Sequence, residues 1–262
     1  MNKETLFVSD LHIASNKCKA KHLKNFIKQT SSDSIYLVGD IIDIWRFQQA
    51  FKMDADTQTD HVDCIRRLLK KGKSGEVHYI WGNHDEFMHR FSESRSFGGI
   101  HLHEQCDYIA SDGRRYLVMH GHQFDLICKF KFGTLLSKIG DIGYEWLIDL
   151  NEIYNWLRKR LGFQYSSLSK YVKVKFKKAS MFIGSFEKHL AEHAEKHGYD
   201  GVICGHIHDP ADKTIKTPDM RRGIHYLNCG CWTDQENMTY IIDRGDGSGL
   251  KLEKYTSDEQ DI

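Results

Sequence analysis

The stretch VHYIWGNHDEF, residues 77–87, joins an apolar run to polar residues that can bind a metal or move a proton. Val77–Trp81 predicts a buried strand, because β-branched and aromatic side chains suit a covered, pleated surface. Gly82 ends the run, and an Asn-His-Asp triplet, residues 83–85, follows it. Open α/β sheets carry their chemistry at the carboxyl ends of such strands. On its own, this stretch is better explained by a plain turn built from Gly, Asn and Asp.

Four other apolar runs end in the same way, which favours the chemical interpretation. The five segments are FVSDLH (7–12), LVGDIID (37–43), WGNHDE (81–86), LVMHGH (117–122) and VICGHIH (202–208). Alternate side chains of an extended segment point the same way, so both members of an Asp-x-His or His-x-His pair can reach one ion. Aspartate with histidine suits Mn, Fe or Zn. One such pair is more often a polar turn or a histidine bonded to backbone, but five together favour a metal site.

The remaining pattern alternates strands with helices. The predicted strands cover 5–9, 35–38, 77–81, 107–110, 115–119, 201–204, 224–228 and 238–242. Helical spacing predicts helices over 18–29 and 59–71, and Asp112-Gly113 predicts a hairpin turn. The stretch 125–198 predicts a helical insertion. Strands that alternate with helices are typical of a parallel or mixed sheet covered by helices.

Composition and charge narrow the class of protein. The 262 residues are 40% hydrophobic and 12% aromatic, which is enough for a packed core. We expect a single domain over 1–262 that contains the insertion. The net charge of +1 gives no reason to expect a nucleic-acid partner. Residues 1–10 lack the apolar region of a signal peptide, and no run of 18 apolar residues predicts a membrane helix. With seven cysteines that favour reduced thiols, the chain is expected to be cytoplasmic.

The motifs D-x-H, G-D-x-x-D, G-N-H-D, H-G and G-H-x-H, in this order from Asp10 to His208, resemble those of the calcineurin-like metallophosphoesterases. The resemblance implies an α/β fold, a four-layer α/β/β/α metallophosphoesterase sandwich with a helical lid insertion. It also implies two divalent metal ions at the strand ends. Manganese is the first expectation, with iron, zinc and magnesium as alternatives.

The resemblance also implies roles for individual residues. The ligands of one metal would be Asp10, His12, Asp40 and His208. Those of the other would be Asp40, Asn83, His120 and His206. Asp40 would then bridge the two ions, which would activate a hydroxide for attack on phosphorus. His84 would be the acid near the leaving group, and Asp85 would orient it.

Longer stretches resemble one branch of the family, the UDP-2,3-diacylglucosamine diphosphatases of the lipid A pathway. They are YLVGDIIDIW (36–45), GNHDEF (82–87), HGHQFD (120–125) and GVICGHIHD (201–209). The resemblance implies hydrolysis of a phosphate diester or diphosphate in a nucleotide-sugar-lipid. The best-studied enzymes of the branch have Arg at the position of His84, which leaves the exact substrate open. The branch commonly has Asp at the position of His122, so this histidine is a candidate substrate contact or substitute ligand.

A basic stretch lies inside the predicted insertion. No acidic residue occurs from Ile153 to Phe186, and Arg158, Lys159 and Arg160 stand among aromatic residues. A solvated helical face with snorkelling lysines explains the pattern, and so does a basic lid for an anionic lipid or the inner-membrane surface. On the second interpretation these three residues contact substrate. A nucleic-acid groove is disfavoured, because the patch is local on a nearly neutral chain.

Three functions are compatible with these features. The first is a metal-dependent phosphohydrolase acting on a nucleotide-sugar-lipid. The second is a phosphodiesterase or phosphatase acting on soluble nucleotides. The third is a non-catalytic scaffold with the same fold, against which the intact ligand set and His84 argue. No G-x-x-x-x-G-K loop is present, which disfavours NTP-driven work.

Overall fold

The computed structural model of the protein describes residues 3–94, 96–97, 99–125, 169–234 and 238–256. The chain groups into two compact units, one of residues 1–122 and 188–262 and the other of residues 123–187. Most of the predicted insertion, about 125–198, lies outside the described residues. A single domain that contains it therefore stays a prediction.

The described residues form twelve strands and four α-helices. The strands are β1 Thr5–Val8, β2 Ser34–Val38, β3 Glu76–Ile80, β4 Ser96–Phe97, β5 Ile100–His103, β6 Gln105–Ile109, β7 Arg115–Met119, β8 Gly201–Cys204, β9 Ala211–Ile215, β10 Ile224–Asn228, β11 Thr239–Asp243 and β12 Leu250–Lys254. The helices are α1 Ala20–Gln29, α2 Phe47–Ala50, α3 Ala55–Ser74 and α4 Ser169–Lys196. Two 3₁₀ helices cover Glu86–Ser94 and His122–Phe124.

The strands form two mixed sheets. The larger has the order β12-β11-β1-β2-β3-β5-β4, and the smaller has the order β6-β7-β8-β10-β9. In the larger sheet β1, β2, β3 and β5 are parallel, and in the smaller sheet β7, β8 and β10 are parallel. Parallel strands end at the same edge of a sheet, so the polar segments after β1, β2 and β3 are neighbours, as are those after β7 and β8.

Two apolar cores hold these layers together. Between the sheets, the Phe7 ring stacks on Tyr36 with a centroid distance of 4.7 Å, and Val118 and Ile203 of the smaller sheet belong to the same buried cluster. The other face of the larger sheet packs in a cluster with the buried residues of α1 and α3. The α/β expectation of two sheets flanked by helices is confirmed. Among the described residues, no helix combines the length and apolarity needed to span a membrane.

Several elements differ from the sequence prediction for local physical reasons. Helix α3 begins at Ala55, four residues before the predicted start, because the Asp54 carboxylate accepts a hydrogen bond from Thr57 N at 2.9 Å and caps the helix. The hairpin is confirmed, with β6 and β7 antiparallel and Gly113 in the left-handed region at φ 84°. Strand β9 escaped prediction because its three central residues are all exposed, so no alternation marks it.

Three histidines form a ladder on β3 and β5. The His78 ring stacks on Tyr36 at 4.3 Å, and it also stacks on His101 and His103 at 5.4 and 5.3 Å. His78 Nδ1 lies 3.1 Å from His103 Nε2. Burial, together with the neighbouring histidines, lowers the pKa of His78 to about 4. Burial therefore lowers the pKa of His78 and His103 and favours their neutral form.

This ladder predicts a loss of stability in mild acid. The unfolded chain binds a proton at residue 78 near pH 6.5, whereas the folded chain resists it until about pH 4. Stability is therefore full above pH 6.5, falls as the pH drops through this window, and then levels off. We expect the free energy of unfolding, measured in urea at pH 7 and pH 5, to fall less in His78→Phe than in wild type. The matched variant of an exposed histidine, His89→Phe, should keep the wild-type difference, and an equal fall in all three proteins would contradict the assignment.

Candidate metal centre

The predicted ligand segments begin where the parallel strands end. Asp10 follows β1, Asp40 follows β2 and His206 follows β8, each two residues beyond the strand. The spacing of the pairs had suggested an extended backbone at these residues. The backbone there is instead sharply turned. Asp10, His12, Asp40, His206 and His208 have φ values of 53°, 48°, 54°, 72° and 55°. Non-glycine residues at positive φ are uncommon and strained, with Asp and His among the better tolerated. The sharp turns aim these side chains back over the strand ends.

The Asp40 carboxylate stands at the centre of the cluster. Its Oδ1 accepts a hydrogen bond from His84 N at 2.8 Å. Its Oδ2 lies 3.4 Å from His120 Nε2 and 3.9 Å from the Nε2 atoms of both His12 and His84. One buried oxygen thus faces three imidazole nitrogens, an arrangement suited to a carboxylate shared between two ions.

Two of the histidine rings around Asp40 are held through the ring nitrogen that faces away from the cluster. His12 Nδ1 lies 3.2 Å from Asp43 Oδ2, which leaves His12 Nε2 facing the cluster. His120 Nδ1 lies 2.9 Å from the Val38 carbonyl oxygen, and its Nε2 faces Asp40. A metal-binding histidine is usually held in this way through its other ring nitrogen. Asp43 was part of the predicted motif but was not named as a site residue, because its position in the sequence does not show that it meets His12.

Asp10 and His208 form a second part of the cluster. Asp10 Oδ2 accepts hydrogen bonds from the Ser9 hydroxyl and, at 2.9 Å, from His206 N. Its Oδ1 faces His208 Nε2 at 3.0 Å, and His208 Nε2 lies 3.4 Å from His12 Nε2. The bond from His206 N ties the loop after β8 in the smaller sheet to the loop after β1 in the larger one.

Asn83 and His206 lie beside these contacts. The Asn83 Oδ1 atom is buried, and among the described residues it has no hydrogen-bond partner. A buried amide oxygen without a partner is costly, and it is a ligand atom that divalent cations accept. The His206 ring lies 5.2 Å from the His120 ring, centroid to centroid. His122 lies 5.5 Å from His120 and 6.4 Å from His206 by the same measure.

Charge in the cluster is balanced between carboxylates and imidazoles. Burial opposes ionisation of Asp10 and Asp40, but the facing histidines hold the pKa of each carboxyl below its usual value. Burial likewise opposes a charge on His120 and His208. The carboxylates outweigh it, so the pKa of His120 rises to about 9 and that of His208 to about 11. A divalent cation bound here would replace those protons as the positive partner of the carboxylates.

Two glycines give the ligands room. A Cβ on Gly82 would overlap Asp40 Oδ1 and would lie 2.7 Å from both Asp40 N and His120 Cδ2. A Cβ on Gly205 would overlap the Ser9 hydroxyl and lie 2.5 Å from Asp10 Oδ2. These positions accept no side chain because the ligands approach the backbone there.

The donor set fits metal ions. In the part of the chain that the structure describes, three groups have candidate ligand atoms that lie within 4.8 Å of one another. They are Asp10 with His12 and His208, His12 with Asp40 and His84, and Asp10 with Asp40 and His120. Because the groups share members, they describe adjoining positions and not separate sites. Mixed carboxylate and imidazole ligands, with the orphaned Asn83 Oδ1 beside them, suit a borderline divalent ion.

His84 has different neighbours from those expected. Its Nδ1 lies 3.1 Å from Asp43 Oδ1, and its ring packs against Trp45 at a centroid distance of 4.4 Å. The described contacts of the ring include Asp43 and Trp45, and the role of Asp85 in orienting it stays a prediction. The Asp85 carboxylate accepts hydrogen bonds from Tyr79 Oη at 2.5 Å and Gly82 N at 2.6 Å, and from two further backbone N–H groups. Asp85 fixes the loops, and Asp43 holds the ring.

These residues open into a cleft of about 220 Å³. Lys17 and Arg46 line it together with five of the candidate ligands and His84, so two basic side chains stand beside a centre that could bind anionic groups. Neither was singled out from the sequence, because an isolated basic residue carries no pattern. The predicted substrate contacts Arg158, Lys159 and Arg160 lie outside the described residues.

Comparison with known proteins places this geometry in context. The family model of calcineurin-like phosphoesterases matches residues 4–210. A curated UDP-2,3-diacylglucosamine hydrolase of Edwardsiella ictaluri is 23% identical over 254 residues, which are 95% of this chain and 90% of that protein. One from Histophilus somni is 27% identical over 134 residues, which are 48% of this chain and 51% of that protein. The chain therefore spans about half the length of this relative. Among solved structures, a dimetal phosphatase from Danio rerio is 12% identical with a TM-score of 0.47, and the match covers 97% of this chain and 99% of that one.

Replacement of Asp40 should remove most of the stabilisation by metal. Manganese at about 100 times its Kd stabilises a folded protein by about 2.7 kcal/mol, which for this size corresponds to roughly 5–10 °C in Tm. Asp40→Asn removes the charge that faces three imidazoles, so we expect it to lose most of this rise and to bind less metal in elemental analysis. Asp56→Asn, on the exposed side of α3, serves as the control. A full thermal shift in Asp40→Asn would remove this carboxylate from the site.

A methyl group at position 205 should disturb the same centre by steric overlap. Gly205→Ala forces Ser9 and Asp10 to move, and overpacking of this kind costs about 1–3 kcal/mol. We expect a lower Tm and reduced metal content. The control is Gly184→Ala, since no atom of the described residues lies within 4 Å of that Cβ and alanine suits a helix interior. Unchanged metal content in folded Gly205→Ala would contradict the close approach.

Proposed function

The chain belongs to the calcineurin-like phosphoesterase family and is a metal-dependent phosphoesterase, and on this premise we propose that it hydrolyses a phosphate diester or diphosphate in a nucleotide-sugar-lipid. UDP-2,3-diacylglucosamine or a close analogue is the proposed substrate. One observation carries the proposal: a buried carboxylate, Asp40, faces three imidazoles and lines a cleft that the side chains of Lys17 and Arg46 also line.

We further propose how the residues divide between two divalent ions. Asp10, His12, Asp40 and His208 would hold one. Asp40, Asn83, His120 and His206 would hold the other. Bound there, the ions would neutralise phosphate charge and supply an activated water nucleophile. Manganese is our first expectation for both positions, because carboxylate, amide and imidazole ligands suit it. His122 lies next to His120 and would serve as a substrate contact or a substitute ligand.

The protein's own part in the reaction centres on His84. Its Nδ1 is held by Asp43 at 3.1 Å, and its Nε2 points toward the Asp40 side of the cleft at 3.9 Å. Asp43 would keep the ring in place and support its charge, so that His84 Nε2 gives a proton to the leaving oxygen. Lys17 and Arg46 would bind the non-reacting phosphate of a diphosphate, since both line the same cleft.

Two further observations support the proposal that the substrate is linked to a lipid. The relative from Edwardsiella ictaluri, which is named UDP-2,3-diacylglucosamine hydrolase, matches the chain over most of its length. The basic sequence around Arg158, Lys159 and Arg160 would suit an anionic headgroup or the inner-membrane surface. We propose a cytoplasmic enzyme with peripheral contact to that membrane and with no nucleic-acid partner.

A substrate panel tests this function directly. We expect manganese-loaded protein to cleave UDP-2,3-diacylglucosamine with a much higher kcat/KM than UDP-glucose, ADP-ribose or a chromogenic phosphodiester. Mass spectrometry would identify the products. Higher kcat/KM on a soluble nucleotide would favour the nucleotide phosphodiesterase instead. No turnover of any substrate by protein that carries both metals would favour a scaffold.

Removal of the His84 ring should slow turnover with little loss of metal. We expect His84→Ala to lower kcat by roughly 10²–10⁴, the range for loss of a general acid, with metal content near that of wild type. His89→Ala, an exposed histidine in the following 3₁₀ helix, is the matched control and should keep wild-type kcat. Loss of metal from His84→Ala would make this ring a ligand and not the acid, since it also lies in one of the three ligand groups.

A further inference from the structure

The histidine ladder of β3 and β5 is a group of possible ligands that the proposed function does not use. None of its residues belongs to the three ligand groups or lines the cleft of the metal centre. Strands β3 and β5 are parallel, and their register places His78 opposite His101. His103 is two residues further along β5, and alternate residues of a strand share a face. All three histidines therefore lie on one face of the larger sheet, two of them from an H-x-H sequence on one strand and one from the neighbouring strand.

Two ring nitrogens of the ladder already have the separation of two ligands of one ion. His78 Nδ1 lies 3.1 Å from His103 Nε2. Zinc binds imidazole nitrogen at about 2.0–2.1 Å, so two such ligands are about 2.9 Å apart at a right angle and about 3.4 Å apart at the tetrahedral angle. The observed distance falls between these limits. Small rotations of the two rings would replace their N–H···N hydrogen bond with two bonds to one cation.

His101 can supply a third nitrogen. Its ring stacks on the His78 ring at a centroid distance of 5.4 Å, and the residue is exposed. Exposed side chains change rotamer within nanoseconds, so rotation of this side chain can bring a ring nitrogen towards the other two. Three histidines with a water molecule in the fourth position form a known zinc arrangement.

The surroundings of the ladder keep its rings in the form that binds a metal. Imidazole must be neutral to coordinate an ion. Burial, together with the neighbouring histidines, lowers the pKa of His78 to about 4, and burial also lowers the pKa of His103. Protons therefore do not compete for these nitrogens at neutral pH. Glu76, two residues before His78 on the same face, acts on it as a negative charge and would offset part of the charge of a bound cation.

The ladder should select a different ion from the metal centre. Its ligand atoms are imidazole nitrogens, which suit zinc, copper and nickel. The metal centre adds the carboxylates of Asp10 and Asp40, and carboxylate oxygens suit manganese and magnesium. A site made of imidazoles should therefore bind nickel or zinc much more tightly than manganese.

We propose that the histidine ladder is a separate metal site, which binds one divalent cation of the zinc, nickel and copper class through His78 and His103, with His101 as the third ligand. The ion cross-links β3 to β5 and so stabilises this edge of the larger sheet. Strand β3 leads into the loop that carries Asn83, a candidate ligand of the metal centre. The inference does not rest on the proposed function, because it involves neither the phosphate substrate nor the ligands of the metal centre.

Calorimetry with nickel and protein saturated with manganese tests the site. Nickel also exchanges for manganese at the metal centre, so each variant is compared with wild type. Loss of even an outer partner of a metal ligand costs about 10–100-fold in metal affinity. We therefore expect His78→Phe and His103→Phe each to show one nickel site that is weakened more than about tenfold, while the remaining sites are unchanged. Equal nickel binding by wild type and both variants would overturn the proposal.

Two further variants serve as controls. His89→Phe makes the same substitution at an exposed histidine outside the ladder, and it should bind nickel as wild type does. Asp40→Asn disturbs the metal centre and should retain the ladder site. Loss of the ladder site in Asp40→Asn would assign the nickel to the metal centre and would also overturn the proposal.

Anomalous diffraction locates the ion without any substitution. Crystals of wild type grown with manganese and nickel are measured on both sides of the nickel absorption edge. We expect a nickel peak about 2.1 Å from both His78 Nδ1 and His103 Nε2. Nickel at the metal centre alone would show that the 3.1 Å contact is only a hydrogen bond, and the ladder would then not be a metal site. Neither measurement needs hydrolysis, so the result is independent of the substrate panel.

Discussion

The placement of one buried oxygen, Asp40 Oδ2, constrains most of the structure around it. Three imidazole nitrogens face it within 3.9 Å, and a carboxylate removed from water is costly unless opposite charges compensate it. The compensation comes from histidines on three separate loops, those after β1, β3 and β7. Each loop must therefore be fixed to a fraction of an ångström. The left-handed turns at Asp10 and Asp40 and the missing Cβ of Gly82 follow from that requirement.

The two-sheet architecture explains how so many loops can meet. Parallel pairing brings the ends of β1, β2 and β3 together in one sheet, and the ends of β7 and β8 together in the other. Face-to-face packing of the sheets then sets those two edges beside each other. Direct bonds complete the junction, since His206 N of the smaller sheet donates to Asp10 of the larger one and Ser9 fills the space that Gly205 leaves open.

Two aspartates that look alike in sequence have different tasks. Asp43 touches the rings of His12 and His84, so it acts on the orientation and charge of the imidazoles. The buried Asp85 carboxylate accepts hydrogen bonds from backbone N–H groups and from the Tyr79 hydroxyl, so it holds the loops in position. Tyr79, which donates to Asp85, also lines an apolar pocket between α3 and the larger sheet. A small change in the surroundings of Asp85 would thus affect both the metal ligands and the wall of the pocket.

The sequence by itself determined, to within one residue, where the five strands before the motifs end, and it supplied the candidate ligands and the family, because apolar runs followed by Asp and His at fixed spacing are local features. It predicted the first and last residues of β7, β8 and β10 without error, and it also predicted the hairpin at Gly113. The contact of Asp43 with His84, the unpaired Asn83 oxygen and the pocket under α3 were decided by tertiary structure. Each depends on side chains from distant segments meeting at a particular distance. Spacing along the chain carries no information about such distances, because they are set by sheet packing and by backbone turns that the residue pattern does not encode.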